Sequence, residues 1–120
     1  MMQPLDEAAV LKRLHEPSPR AFFLLFYTNQ CSQCKIARAR VERVMQKSKF
    51  EVDFFRCNLD EAPAVAEYFN MRSVPVCMTY NQKGEQQRVE YGLKSEAVYE
   101  SMVLGVNTQK GDPKSRLLGF

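Results

Sequence analysis

The chain has 120 residues, of which 45% are hydrophobic and 26% charged, a balance typical of a soluble globular protein with one domain. Its net charge of +3 is too small to indicate nucleic-acid binding, and its longest apolar run, Ala21 to Tyr27, is too short to span a membrane. The N-terminal segment resembles neither a secretory signal nor a transit peptide, because Asp6, Glu7 and Glu16 precede the first apolar run. We therefore expect neither nucleic acid nor a membrane among its partners.

Hydrophobic periodicity and turn residues predict four helices and four strands. Asp6 is suited to cap the first helix, and the unbroken apolar run Phe22–Tyr27 is typical of a strand buried on both faces. A turn that ends in Gly84 joins the last two strands into a hairpin. In chain order we predict helix Asp6–Glu16, strand Phe22–Tyr27, helix Cys34–Ser48, strand Val52–Cys57, helix Pro63–Phe69, strands Val76–Tyr80 and Gln87–Tyr91, and a helix capped by Ser95 that runs to about Val106.

This order predicts an α/β fold with a central mixed four-stranded sheet flanked by helices. A strand-helix-strand unit requires a parallel pair with a right-handed crossover, and the hairpin adds antiparallel strands. We expect residues 1–107 to form the domain and residues 108–120 to form a C-terminal tail.

The motif that carries chemistry is Cys31-Ser32-Gln33-Cys34, which follows a buried strand and opens a helix. A helix N-terminus offers free amide donors and partial positive charge, and both stabilise a thiolate. The two-residue spacing lets the second sulfur reach the first, so a mixed disulfide at one cysteine can be resolved by the other. We expect the more exposed Cys31 to be the nucleophile and Cys34 to be the resolving cysteine.

Two other interpretations of the motif remain open. The pair could be half of a zinc site, for which Cys57, Cys77 and His15 are the candidate further ligands. The pair could also have no redox activity, because a fold can be retained after its original chemistry is lost. Four cysteines in a domain of this size do not indicate a disulfide scaffold, so a reducing compartment is expected, the cytosol or an organelle matrix.

Several segments appear in an order and spacing that resemble the thioredoxin family: Phe26-Tyr27, Cys31 to Lys35, Cys57-Asn58-Leu59-Asp60, Val74-Pro75 and Tyr91-Gly92. The resemblance implies the thioredoxin fold, with a cis Val74–Pro75 bond that faces the cysteine pair and presents backbone groups to a substrate strand. We expect a substrate-binding surface around this bond, which comprises Gln30, Ser32, Gln33, Arg72, Ser73, Val74, Pro75 and Gly92. Because Lys35 begins the basic face of the helix at the active turn, we also expect it to raise the thiolate fraction of Cys31.

Departures from the family pattern occur at the motif itself. Gln30 replaces an aromatic residue, Ser32-Gln33 replaces Gly-Pro, and Ala39 replaces a helix proline. Leu25 stands where the family has a buried acid, so Cys34 lacks an obvious general base, and water or Lys35 has to suffice. These differences argue against an ordinary general-purpose reductase.

The main hypothesis is a thiol-disulfide oxidoreductase that acts on a protein disulfide and takes electrons from a reductase or a small dithiol. We expect no metal or organic cofactor, and either a monomer or a subunit of an assembly. The alternative is a thioredoxin-fold docking module with weak or no redox turnover, and a weaker one is a zinc-bound or cluster-bound dimer. Cys57 and Cys77 should pack as small apolar residues and never pair, because the central strand separates their strands by about 9.5 Å.

Overall fold

The computed structural model describes residues 1–47 and 50–111, the last five of them by their backbone alone. Every predicted helix and strand is present. The largest differences are that α2 begins two residues early, at Ser32, and that α4 continues into the predicted tail. In chain order the elements are β1 (Gln3–Pro4), α1 (Glu7–His15), β2 (Ala21–Tyr27), α2 (Ser32–Lys47), β3 (Val52–Asn58), a 3₁₀ turn (Leu59–Glu61), α3 (Pro63–Phe69), β4 (Val76–Tyr80), β5 (Gln86–Tyr91) and α4 (Glu96–Gly111). The rest of the predicted tail, residues 112–120, lies outside the described residues.

The sheet is mixed, as predicted, but the described residues give it five strands rather than four, in the order β1-β3-β2-β4-β5. The additional strand, β1, pairs in parallel with β3 through Gln3 and Pro4. Two residues carry no periodicity, and a proline favours only an edge position, so no sequence pattern could have revealed this strand. β2 pairs in parallel with β3 and antiparallel with β4, and β5 completes the hairpin.

The central strand β2 is buried on both faces, as its unbroken apolar run predicts. Its side chains alternate between two hydrophobic clusters, because successive residues of a strand point to opposite faces. Ala21, Phe23 and Leu25 pack with residues of α2 and α4. Phe22, Leu24 and Phe26 pack with residues of α1 and α3. No helix within the described residues is long and apolar enough to cross a membrane.

Cys57 and Cys77 are both buried, free thiols. They lie on β3 and β4, which flank β2, and they also belong to opposite clusters of the core. The prediction that the central strand separates these two cysteines is therefore confirmed.

Three loops meet at one end of the sheet. Residues 28–31 leave the carboxyl end of β2, whereas residues 70–75 enter β4 and residues 92–95 leave β5. Since β4 runs antiparallel to β2 and β5, its first residue lies beside the last residues of both neighbours. The fold therefore brings the Cys-x-x-Cys motif and the Val74–Pro75 bond to the same end of the sheet.

Candidate active site

Cys31 and Cys34 are joined by a disulfide at the N-terminus of α2, with their Cα atoms 5.2 Å apart. Cys31 is half-buried and immediately precedes the helix, whereas Cys34 lies in its first turn with only 3% of its surface exposed. The backbone N–H of Cys34 donates to the Sγ atom of Cys31 at 3.1 Å. The amides at the helix start are thus directed at Cys31, the sulfur that a partner can reach.

The Val74–Pro75 peptide bond is cis, and it lies against the cysteine pair. The Sγ atom of Cys31 is 4.0 Å from the carbonyl oxygen of Val74. Gly92 lies at the same end of the sheet, where its N–H donates to the carbonyl of Pro75 at 2.8 Å. The prediction that this bond is cis and faces the pair is therefore confirmed.

The other residues predicted to bind substrate lie around this contact. Those of the motif and of the loop before β4 are exposed, while Val74 and Gly92 are half-buried and Pro75 is buried. The exposed ones are Gln30, Ser32, Gln33, Arg72 and Ser73. Arg72 and Ser73 line a groove of about 370 Å³ that extends to Gln86, Val89 and Tyr91 of β5.

The basic face of α2 is largely paired with acidic side chains. Arg43 and Lys47 both contact Glu96 of α4, at 2.8 and 2.9 Å, and together they hold the pKa of Glu96 below its usual value. Arg38 pairs with Glu42 at 3.1 Å. Lys35, next to Cys34, is exposed and has no ion-pair partner within the described residues. This face is therefore mainly a solvated, ion-paired helix surface.

The segment that precedes Cys31 is anchored by Asn58 and Asp60, to which the sequence analysis gave no role in the site. The carboxylate of Asp60 accepts from the backbone N–H of Asn29 at 2.7 Å. The side chain of Asn58 donates to that of Asn29 at 2.8 Å. The last residue of β3 and the 3₁₀ turn after it thus hold the active-site turn in place.

The segment that follows Gly92 is anchored from two helices at Lys94. The buried hydroxyl of Tyr99 accepts from the backbone N–H of Lys94 at 3.0 Å, and Arg40 donates to its carbonyl at 2.7 Å. The sequence analysis did not identify Tyr99, and this contact is visible only in three dimensions.

A second feature that the sequence analysis missed lies behind the disulfide. A cavity of about 230 Å³ is lined by Leu25, Tyr27 and Cys34, among others. Arg56, which is opposite Leu25 in the β2–β3 register, donates to the hydroxyl of Tyr27 at 2.8 Å. The one signal in the sequence is Arg56 itself, a charged residue between the apolar Phe55 and Cys57 of the strand Val52–Asn58.

The remaining thiols have the character of core residues. Burial raises the pKa of Cys57 to about 11, with a further contribution from the charge of Glu7, and burial also raises the pKa of Cys77. Both groups stay protonated near neutral pH, in which form they are poor nucleophiles. Within residues 1–47 and 50–111, no three His, Cys, Asp or Glu side chains lie close enough together to hold a metal ion.

Comparison with known proteins gives a consistent result. The family model "Thioredoxin" matches residues 5–103. Thioredoxin from Rickettsia felis is 28% identical over 69 residues, which are 58% of this chain and 65% of that protein, so the chain spans just under two thirds of this relative. A mutant thioredoxin from Halobacterium salinarum NRC-1 has a TM-score of 0.70 at 19% identity, covering 88% of this chain and 91% of that one. Oxidized mitochondrial thioredoxin 3 from Saccharomyces cerevisiae has a TM-score of 0.69 at 19% identity, covering 84% and 92%. These structures share the thioredoxin fold, and the match to the family model shows that the chain belongs to the thioredoxin family.

Proposed function

We propose that this protein is a thiol-disulfide oxidoreductase of thioredoxin type, which exchanges disulfides with a protein substrate through Cys31 and Cys34. The observation that carries the proposal is the disulfide between these cysteines at the N-terminus of a helix, with the carbonyl of Val74 beside the outer sulfur. A helix N-terminus stabilises the thiolate that attacks, and the second cysteine stands within bonding reach to resolve the product.

The two sulfurs have different roles because their access differs. In the reduced protein, the thiolate of Cys31 attacks one sulfur of the substrate disulfide, and the other substrate sulfur leaves as a thiolate. The thiolate of Cys34 then attacks the Sγ atom of Cys31, which releases the second substrate sulfur and forms the disulfide seen here. With 3% of its surface exposed, Cys34 is out of reach of a protein substrate, so Cys31 is the nucleophile. A reductase or a small dithiol returns the two electrons.

The substrate would lie across the end of the sheet where the three loops meet. Val74 would present its backbone groups to an extended substrate segment, Pro75 would hold that backbone in place, and Lys35 would raise the thiolate fraction of Cys31. Gln30, Ser32, Gln33, Arg72, Ser73 and Gly92 would form the surrounding surface. A compartment that keeps thiols reduced, such as the cytosol or an organelle matrix, suits this cycle.

A docking module without redox turnover is the second candidate. It is favoured by the apolar side chain of Leu25 beside Cys34, and by Tyr91, which stands next to Gly92 with 66% of its surface exposed. In this case, the end of the sheet where the three loops meet binds a partner, and the disulfide only makes that site rigid.

An insulin-reduction assay with dithiothreitol as the electron source separates these two functions. We expect the wild type to accelerate reduction, Cys31→Ser to abolish the acceleration, and Cys34→Ser to accumulate a mixed disulfide with insulin. Cys57→Ala is the matched control, because it removes a buried thiol outside the pair and should leave the rate unchanged. A wild-type rate equal to that of dithiothreitol alone would favour the docking module.

A further inference from the structure

The cavity behind the disulfide is lined by Cys34 as well as by Cys31, so the buried cysteine borders a space that protein atoms do not fill. Besides Cys34 and the apolar Leu25, it is lined by Tyr27, Thr28 and Asn29 of the preceding strand and loop. Its volume of about 230 Å³ exceeds the share of one liquid water, about 30 Å³, several times over. Water in this cavity would therefore lie beside Cys34, which is itself too buried for a protein partner to reach.

The exchange reaction requires a proton to move at this sulfur. When an incoming thiolate attacks Cys31, the Cys31–Cys34 bond breaks, and Cys34 leaves as a thiolate that must then be protonated. In the reverse direction, the thiol of Cys34 must lose its proton before it attacks a mixed disulfide. Leu25, the strand residue next to this cavity, has no proton to exchange.

Tyr27 and Lys35 line the cavity with groups able to exchange one, and the hydroxyl of Tyr27 is the one that a hydrogen bond from Arg56 holds in place. Leu25 and Tyr27 are two residues apart on β2, so both point to the face of the sheet that α2 covers. The guanidinium of Arg56 donates to the Tyr27 oxygen at 2.8 Å and to the carbonyl of Met2 at 3.3 Å. Because Arg56 occupies a lone pair of that oxygen, the hydroxyl keeps its own hydrogen for another acceptor.

We propose that Tyr27, held by Arg56, is the proton-relay residue of Cys34. As the disulfide opens, the Tyr27 hydroxyl passes a proton to the departing Cys34 thiolate through water in the cavity, and it regains a proton from the solvent. As the disulfide forms, the proton of Cys34 leaves by the same route, so that Tyr27 ends each cycle unchanged. Arg56 is a positioning residue, which acts on Cys34 through Tyr27. The inference rests on the proposed exchange at this cysteine pair.

The charged side chains among the described residues that line the cavity are both cationic. Lys35 and Arg38 of α2 line the cavity, and Arg38 is already paired with Glu42 at 3.1 Å. From β3 the charged group is Arg56. No carboxylate is among the described residues that line the cavity, so a carboxylate does not compete with the phenol there.

The test uses the reduced full-length protein and the chromogenic disulfide 5,5′-dithiobis(2-nitrobenzoate), which releases one thiol when Cys31 attacks and a second when Cys34 resolves the mixed disulfide. In Tyr27→Phe we expect the second release to slow about tenfold at pH 7, within the range for a lost general acid or base. The first release should be unchanged. The difference should shrink as the pH rises past the pKa of the Cys34 thiol, since the relay is then no longer needed. Tyr68→Phe, which removes a 56% exposed hydroxyl elsewhere, is the matched control and should behave as the wild type.

Arg56→Gln provides an independent variant, because it leaves the Tyr27 hydroxyl in place. It should slow the second release by a smaller factor, and the double variant should be no slower than Tyr27→Phe alone, because Arg56 acts through Tyr27. Equal slowing of both releases, or a second release as fast as in the wild type at every pH, would overturn the proposal. The reagent is a small disulfide, so the wild type can show a normal second release even if it fails to reduce insulin. That result would count against the proposed function and not against the proton relay.

Discussion

Tyr99→Phe tests whether the contact that anchors the segment after Gly92 contributes to stability. Tyr99 is fully buried in α4, and its hydroxyl accepts from the backbone N–H of Lys94 at 3.0 Å. Burial, followed by the neighbouring Cys77, raises the pKa of this hydroxyl to about 12, so it is neutral at physiological pH. Phenylalanine keeps the ring and its packing against Phe23, and it removes only the oxygen.

The expected cost follows from the donor that is left behind. A partly buried backbone N–H without an acceptor costs about 1–3 kcal/mol, and no sizeable cavity adds to this because the ring remains. Since Arg40 still holds the carbonyl of Lys94, the segment stays near its place, and we expect about 1–2 kcal/mol. With an m-value of about 2 kcal/mol per molar urea, the middle of the usual range, the unfolding midpoint should fall by roughly 0.5–1 M.

Urea denaturation followed by far-UV circular dichroism measures this loss directly. The control is Tyr68→Phe, whose hydroxyl is on an exposed side chain and whose removal should change the unfolding free energy by less than about 0.5 kcal/mol. The reasoning would be refuted if Tyr99→Phe had the same midpoint as the wild type, or if the control lost as much stability.

Three further predictions concern buried groups of the core. Leu25→Asp should lower the unfolding free energy by several kcal/mol while accelerating mixed-disulfide release, because it buries a carboxyl next to Cys34; unchanged release would show that proton transfer does not limit resolution. The raised pKa of Cys57 favours the protonated folded state, so stability is fully present below pH 9 and falls as the pH rises towards 11; Cys57→Ala should flatten this decline in urea titrations, and an identical pH profile would contradict the assignment. Under mild oxidant, mass spectrometry of an unreduced digest should show the Cys31–Cys34 link alone, and a peptide joining Cys57 to Cys77 would mean that the strand order is wrong.

Elements with strong local signals were predictable in type and nearly in extent. The apolar run that became β2 could only be a strand buried on both faces, and Pro63 fits the first turn of α3, whose bounds were predicted without error. The hairpin turn is marked by Gly84, which has a φ of 84° that other residues rarely adopt. Each of these signals depends on neighbouring residues, which is why the sequence was sufficient.

Contacts between residues that are far apart in the sequence were harder to predict. β1 exists because β3 offers it an edge, and its two residues have no signal of their own. The pairing of Arg56 with Tyr27 requires the β2–β3 register, which places residues 29 positions apart in direct contact. The bond from Tyr99 to Lys94 likewise forms only once α4 has packed against the sheet.

The sequence by itself determined the order of the elements, the position of the cysteine pair at a helix N-terminus, and, through family resemblance, the cis bond at Pro75. Those features follow from local spacing and from a motif of contiguous residues. Only the tertiary structure decided that Cys34 and Tyr27 line one cavity, and that the Tyr27 hydroxyl is held there by Arg56. The reason is physical: burial and hydrogen bonding at Cys34 are set by side chains from two strands and a helix, whose proximity exists only after the sheet and its covering helices have assembled.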